Sequence, residues 1–282
     1  IKVNSLYLRK IGQLMGSILA VVFSPEDMNL ISEGPSVRRK FLDIAISQVK
    51  PTYYFDLLKY NKVLIQKNNL LKSVKYGKTK MYDGIFSVWN EQLASVGAKI
   101  ISERCRIIEE LSKVAIEKNM KIAKNSAEKE ELLKISYNSD ISREIILEND
   151  IEVIKREFFN LLEGKMQKEI EREMTLTGPH RDDLEFKLDD RDMKKFSSQG
   201  QKRTAILSLK LAELELLKKA TGRKPIFLLD DVFSELDEKR QESFLNEIYD
   251  VQTFISCVDI NSLKYNKKNA RIFEIKNGSV VL

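Results

Sequence analysis

The residues best placed to do chemistry sit at the end of an apolar run. Ile226-Phe227-Leu228-Leu229 leads directly into Asp230-Asp231. A buried strand ending in two carboxylates is the Walker B arrangement. The strand delivers the first acid rigidly to a Mg²⁺ ion, and the second can polarise a water beside a γ-phosphate. Asp230 is therefore the metal candidate and Asp231 the catalytic one. Upstream, Ser197-Ser198-Gln199-Gly200-Gln201-Lys202-Arg203 stands just before a stretch of helical periodicity. A serine hydroxyl and backbone N–H groups at a helix N-terminus make an anion site.

That upstream string is close to the LSGGQxR signature of ATP-binding-cassette ATPases. Ser198, Gly200, Gln201 and Arg203 are in register, and Gln199 replaces the first Gly. Ser234-Glu235-Leu236-Asp237 matches the D-loop that crosses the dimer interface of the same class. The similarity implies that Ser198, Gly200, Gln201, Asp230 and Asp237 hold nucleotide, with the γ-phosphate carried by the opposing subunit.

Positioning these groups requires an α/β scaffold. Residues 17–23 read as a buried strand ending at Ser24-Pro25, and residues 226–229 as another. Strands are expected at 132–137 and 253–256, with a hairpin around Asn277-Gly278. Helices are expected at 37–49, 52–73, 82–123, 150–174, 201–220 and 238–249. The stretch from 82 to 123 exceeds an ordinary globular helix and predicts an extended, coiled-coil-like arm. The middle of the chain is thus α and its last third α/β.

Composition bounds the partners. The chain has 282 residues, 43% apolar and 32% charged, which is a globular balance. No apolar run approaches the ~18–20 residues of a membrane span. Cys105 and Cys257 stand far apart with no CxxC, so neither a disulfide framework nor a zinc site is encoded. A reducing, cytoplasmic compartment is expected. The formal charge of +6 conceals a gradient: residues 35–80 alone hold 11 basic and 2 acidic side chains. Such a block is either a polyanion-binding surface or a solvated helix face. Within it Lys59, Lys62, Lys67, Lys72 and Lys75 are the candidate DNA contacts, suited to phosphates rather than base edges. The interleaved Tyr53, Tyr54 and Tyr60 read as packing groups.

Five blocks extend the similarity: FSPEDMNLI at Phe23–Ile31, GPSVRRKFLD at Gly34–Asp43, TGPHRDDLEF at Thr177–Phe186, SSQGQKRTAILSLKLAE at Ser197–Glu213, and LLDDVFSELD at Leu228–Asp237. Together they span nearly the whole chain and resemble the RecF recombination-repair family, relatives of the structural-maintenance-of-chromosomes ATPases. The resemblance implies a partial α/β cassette-type ATPase head interrupted by a long helical arm. The expected divisions are a remnant of the first lobe at 1–34, the arm at 35–172, and the signature and Walker B lobe at 173–282. It further implies ATP and Mg²⁺ as cofactors and an ATP-dependent homodimer. Duplex or gapped DNA would be bound in the clamp, and RecO and RecR would be partners in loading RecA.

The chain also departs from that pattern. A Walker A loop, GxxxxGK(S/T), is absent; Gly77-Lys78-Thr79 has Lys72 at the first Gly position and reads as a basic helix-end turn. The expectation is a fragment whose Walker A lobe lies upstream of Ile1, unable to hydrolyse ATP by itself. Ser24-Pro25-Glu26 falls where related ATPases carry a Q-loop, but no Gln is present. No switch histidine follows the strand ending at Ser256-Cys257; His180, the sole histidine, is expected to order the Gly178-Pro179 turn. Arg38-Arg39 would salt-bridge to the head or meet DNA. Two other functions remain open: another cassette ATPase, or a non-enzymatic DNA- or protein-binding module.

Overall fold

In a computed structural model, the protein is described at residues 2–3, 6–7, 11–78, 84–123, 131–231, 233, 238–259 and 270–281. Two short paired strands, β1 (Lys2–Val3) and β2 (Leu6–Tyr7), precede β3 (Ala20–Phe23). A one-turn 3₁₀ helix at Pro25–Met28 runs into α1 (Asn29–Ser32). Pro35 opens α2 (Pro35–Val49) from its first position, where its missing N–H costs nothing. Pro51 does the same for α3 (Pro51–Lys75). It also forces Lys50 out of helical conformation, so one proline ends one helix and starts the next.

The long helix is α4 (Ser87–Ala123), 37 residues or about 55 Å. β4 (Leu133–Asn138), α5 (Arg143–Leu147), α6 (Ile151–Gly164) and α7 (Met166–Arg172) follow. The helix expected over 150–174 is thus interrupted at Lys165, after a glycine, where the Lys165 ammonium holds Asp140 at 2.7 Å. β5 (Asp183–Leu188) turns into β6 (Arg191–Asp192) through Asp189-Asp190, both at positive φ, as a two-residue hairpin loop requires. Next come α8 (Met193–Phe196), α9 (Gln199–Thr221), β7 (Ile226–Asp230), α10 (Glu238–Glu247) and β8 (Thr253–Ser256). β9 (Glu274–Lys276) and β10 (Ser279–Val281) form the expected hairpin, with Asn277 and Gly278 at positive φ.

Two sheets matter for function. β3, β7 and β8 are parallel in that order, with Phe23, Leu229 and Ile255 in one row. Phe23 and Leu229 are buried and Ile255 packs against the same core. The next row, Val22, Leu228 and Phe254, points the opposite way and is exposed. β4, β5 and β6 form an antiparallel sheet whose Leu133, Ile135, Leu184, Phe186 and Leu188 face the core.

α4 is not a free-standing arm. It is buried on several faces, including the runs Val96–Ala98 and Ile100–Ser102, and it lies along α9, α6 and β4. Its Gly97 has no room for a side chain, because a β-carbon there would overlap the Phe158 ring. Gly178 meets the same ring and the Tyr60 hydroxyl, at φ +117. One hydrophobic cluster runs from Val21 through α2, α3, α4, α6 and α9 to Val251. Arm and head share a core.

Lys67 departs from its expected role as a DNA contact. It and Glu169 of α7 are both 0% exposed, 2.6 Å apart, pinning α3 to α7. Burial pulls the Lys67 ammonium below its ordinary pKa while Glu169 pulls it back up. Removing one member strands the other charge in a dry interior. Lys67→Ala should therefore lower unfolding free energy by about 3–5 kcal/mol, whereas Lys67→Met with Glu169→Gln, which keeps an acceptor for the Leu176 N–H, should recover most of it. Urea unfolding of the three proteins measures this, and a near-neutral Lys67→Ala would contradict the burial.

Candidate functional site

Parallel strands place ligands at their carboxyl ends, and Asp230 is the last residue of β7, the central strand. Its carboxylate is exposed, and Oδ1 accepts from the Ser256 hydroxyl at 2.5 Å. Ser256 ends β8 directly opposite Asp230 in the register. The same Oγ accepts from the Asp231 backbone N–H at 3.1 Å. Asp231 sits at φ +47, a left-handed conformation that a non-glycine residue adopts only when held there. One hydroxyl therefore anchors the Asp230 carboxylate and the backbone of Asp231. Sequence reasoning missed Ser256; its signal was the parallel pairing of the two strand ends.

Asp230 suits Mg²⁺, which takes one or two protein carboxylates and completes its shell with water and substrate phosphates. A carboxylate that accepts one hydrogen bond keeps further lone pairs for this. Among the described residues no group of three or more His, Cys, Asp or Glu forms a metal cage.

The second half of the site is the start of α9. Ser198 is its N-cap, with extended backbone, and its Oγ accepts from Gln201 N at 3.2 Å. Gln201 Oε1 accepts from Ser198 N at 2.7 Å, closing a capping box. Gln201 Nε2 donates to Glu131 Oε1. Because the hydroxyl of Ser198 acts here as acceptor, its proton is the group it can offer an anion. Gly200 keeps the turn slim: a β-carbon there would come within 3.4 Å of Nη1 of Arg240 on α10. Arg240 thus brings a cation to the signature turn, and no local motif announces it.

The turn after β3, at the Q-loop position, is tied to the same helix. Asp27 Oδ2 accepts from Ser24 N at 2.9 Å, and its Oδ1 meets Lys210 of α9 at 2.8 Å. Lys210 also lies 3.7 Å from Glu213, whose carboxyl burial lifts to about pKa 7 against the pull of Lys210.

The blocks at 34–43 and 177–186 lock onto each other. Arg38 binds Asp183 through Nε and Nη2, at 2.7 and 2.8 Å, and its Nη1 donates to the carbonyls of Leu30 and Glu33. Arg39 donates to the Asp182 carbonyl at 2.8 Å. Asp43 receives Arg104 of α4 and the Tyr53 hydroxyl. Arg38, by an ion pair, and Arg39, by a backbone hydrogen bond, thus join α2 to the 177–186 block. Burial raises the Asp182 carboxyl to about pKa 6, with Tyr137 opposing as a donor. His180 Nδ1 accepts from the Tyr60 hydroxyl at 2.8 Å, and Nε2 faces the Thr175 carbonyl at 3.2 Å. Burial lowers its pKa to about 4, so it stays neutral and orders the turn.

Of the remaining lysines, Lys59, Lys62 and Lys72 are exposed on α3. Lys75 is exposed too but paired with Glu173 at 2.7 Å. Asp237, with the rest of Ser234–Asp237, lies outside the described residues, as does Thr79.

The sequence is 46% identical over 259 residues to the DNA replication and repair protein RecF of Acetivibrio thermocellus, covering 92% of this chain and 68% of the relative. The chain belongs to the RecF family. The RecF of Halothermothrix orenii is 43% identical over 282 residues, covering 99% of this chain and 74% of the relative. No protein-family model matches the chain. Among solved structures, the recombination mediator protein RecF with ATPrS, of the RecFOR pathway, superimposes with a TM-score of 0.87 at 37% identity. It covers 99% of this chain and 71% of that one. A RecF-ATP structure gives 0.86 at 38% identity. The fold is therefore the cassette-type ATPase head with a helical arm that the resemblance implies.

Proposed function

We propose that this RecF-family chain supplies the helical arm and the signature half of an ATP-dependent DNA-binding protein of recombination repair. The divisions at 1–34, 35–172 and 173–282 are kept in this reading. The observation that carries it is Ser198, held by a capping box at the N-terminus of a 23-residue helix with its proton on offer. ATP held by one subunit would be gripped at its γ-phosphate by the Ser198 hydroxyl and the Gly200 N–H of the other, with Gln201 holding the cap in shape, closing the dimer over DNA.

At the carboxyl end of β7, Asp230 would hold Mg²⁺, which neutralises developing phosphate charge. Asp231, held in a left-handed backbone conformation, would orient the attacking water. Asp237 would act in the D-loop. Hydrolysis removes the phosphate that bridges the subunits, and the clamp opens. The sequence holds no GxxxxGK(S/T), so this stretch is not expected to hydrolyse ATP unaided.

ATP is supported by the solved relatives, which carry ATP or ATPrS. DNA is the proposed polyanion for the exposed Lys59, Lys62 and Lys72, and a gapped duplex loaded with RecA through RecO and RecR is the proposed setting. Two free cysteines suit a reducing cytoplasm, and among the described residues no helix is long and apolar enough to cross a membrane.

In the full-length protein, Ser198→Arg should abolish the ATP-driven dimer in sedimentation velocity; an intact dimer would sink the trans-phosphate role. Changing Lys59, Lys62 and Lys72 together to Gln should weaken duplex binding. It should also flatten the log–log salt dependence by about 3, roughly 0.9 per lost phosphate contact. An unchanged slope would take DNA off this face of α3.

A further inference from the structure

α8 is a single turn with opposite ends. Met193 is fully buried, while Phe196, two residues before Ser198, leaves 68% of its surface in water. The ring stands on an open cleft of about 380 Å³ together with Glu131, Leu188, Asp189, Arg191, Ser197 and Gln201. That volume lies in the range of small-ligand sites. Ser197 and Gln201 belong to the signature turn, so the cleft adjoins the proposed γ-phosphate position.

The lining combines the Phe196 ring with two carboxylates and the Arg191 guanidinium. Glu131 already accepts from Gln201 Nε2, and Asp189 Oδ1 accepts from Leu132 N at 3.0 Å. The Glu131 carboxylate retains lone pairs for another donor. A planar heterocycle carrying an amine fits this set: it stacks on the ring and presents an N–H to Glu131.

We propose that Phe196 is a stacking platform for the adenine base of the ATP held by the opposing subunit. The inference rests on the trans-phosphate reading above and extends it from the phosphate to the base. A nucleotide bridging two subunits would then be gripped at both ends by the same short segment, Phe196–Gln201. Phe196 would favour a nucleotide over bare polyphosphate.

The test compares ATP with ribose 5′-triphosphate, which lacks the base, as drivers of dimerisation of the full-length protein. Phe196→Ala should raise the ATP concentration needed about tenfold, within the range for loss of one base–aromatic stack. It should leave the response to ribose 5′-triphosphate unchanged, and Phe196→Trp should behave as wild type with both. Equal weakening with both compounds would make Phe196 a protein contact and overturn the proposal, as would no weakening at all. Ser198→Arg, run alongside, separates the two readings. Loss of dimer there with a silent Phe196→Ala removes only the base assignment, while an intact dimer removes the phosphate reading itself.

Discussion

Everything in this structure depends on enclosing α9. From Thr204 to Leu217 nearly every residue of that helix is buried, on all sides of the cylinder. A helix buried all round must be walled in completely, and its buried Lys210 and Glu213 must find partners inside the wall. β3 forms one wall and α4 another, with α2 and the turn after β3 closing the gaps. The helix whose first turn carries Ser198 is therefore the axis about which both arm and head pack. A close-packed interior transmits displacement rather than absorbing it.

Buried charge refines that packing. Lys210 reaches from α9 to Asp27, Arg38 joins α2 to Asp183, Arg104 joins α4 to Asp43, and Lys67 joins α3 to Glu169. Such pairs add little net stability compared with apolar groups of the same size, because desolvation offsets their attraction. What they impose is register. An apolar interface can slide by a residue, whereas a bidentate arginine cannot follow without losing both hydrogen bonds.

The sequence was most legible where physics is local. Periodicity placed the long helices and the β7 and β8 strands, Asn277-Gly278 marked a hairpin, and an apolar strand ending in Asp-Asp stood out. Illegible features all depended on partners far along the chain. Lys67 looks like its neighbouring lysines, yet its counter-ion lies 102 residues away. Ser256 gains a role only because β8 pairs with β7, and Arg240 only because α10 returns to the signature turn. A long helix without punctuation reads as an extended arm; that it folds back along α9 follows from the shape of the core, which no local pattern encodes.

The central claim is that one subunit's α9 cap binds the phosphate held by the other. A structure of the full-length protein with a non-hydrolysed ATP analogue tests it most directly. The account predicts Ser198 Oγ within ordinary hydroxyl–oxygen range, about 2.5–3.0 Å, of a γ-phosphate oxygen on the nucleotide of the opposing subunit. A dimer in which Ser198 faces solvent, with the γ-phosphate contacted by one subunit alone, would contradict it.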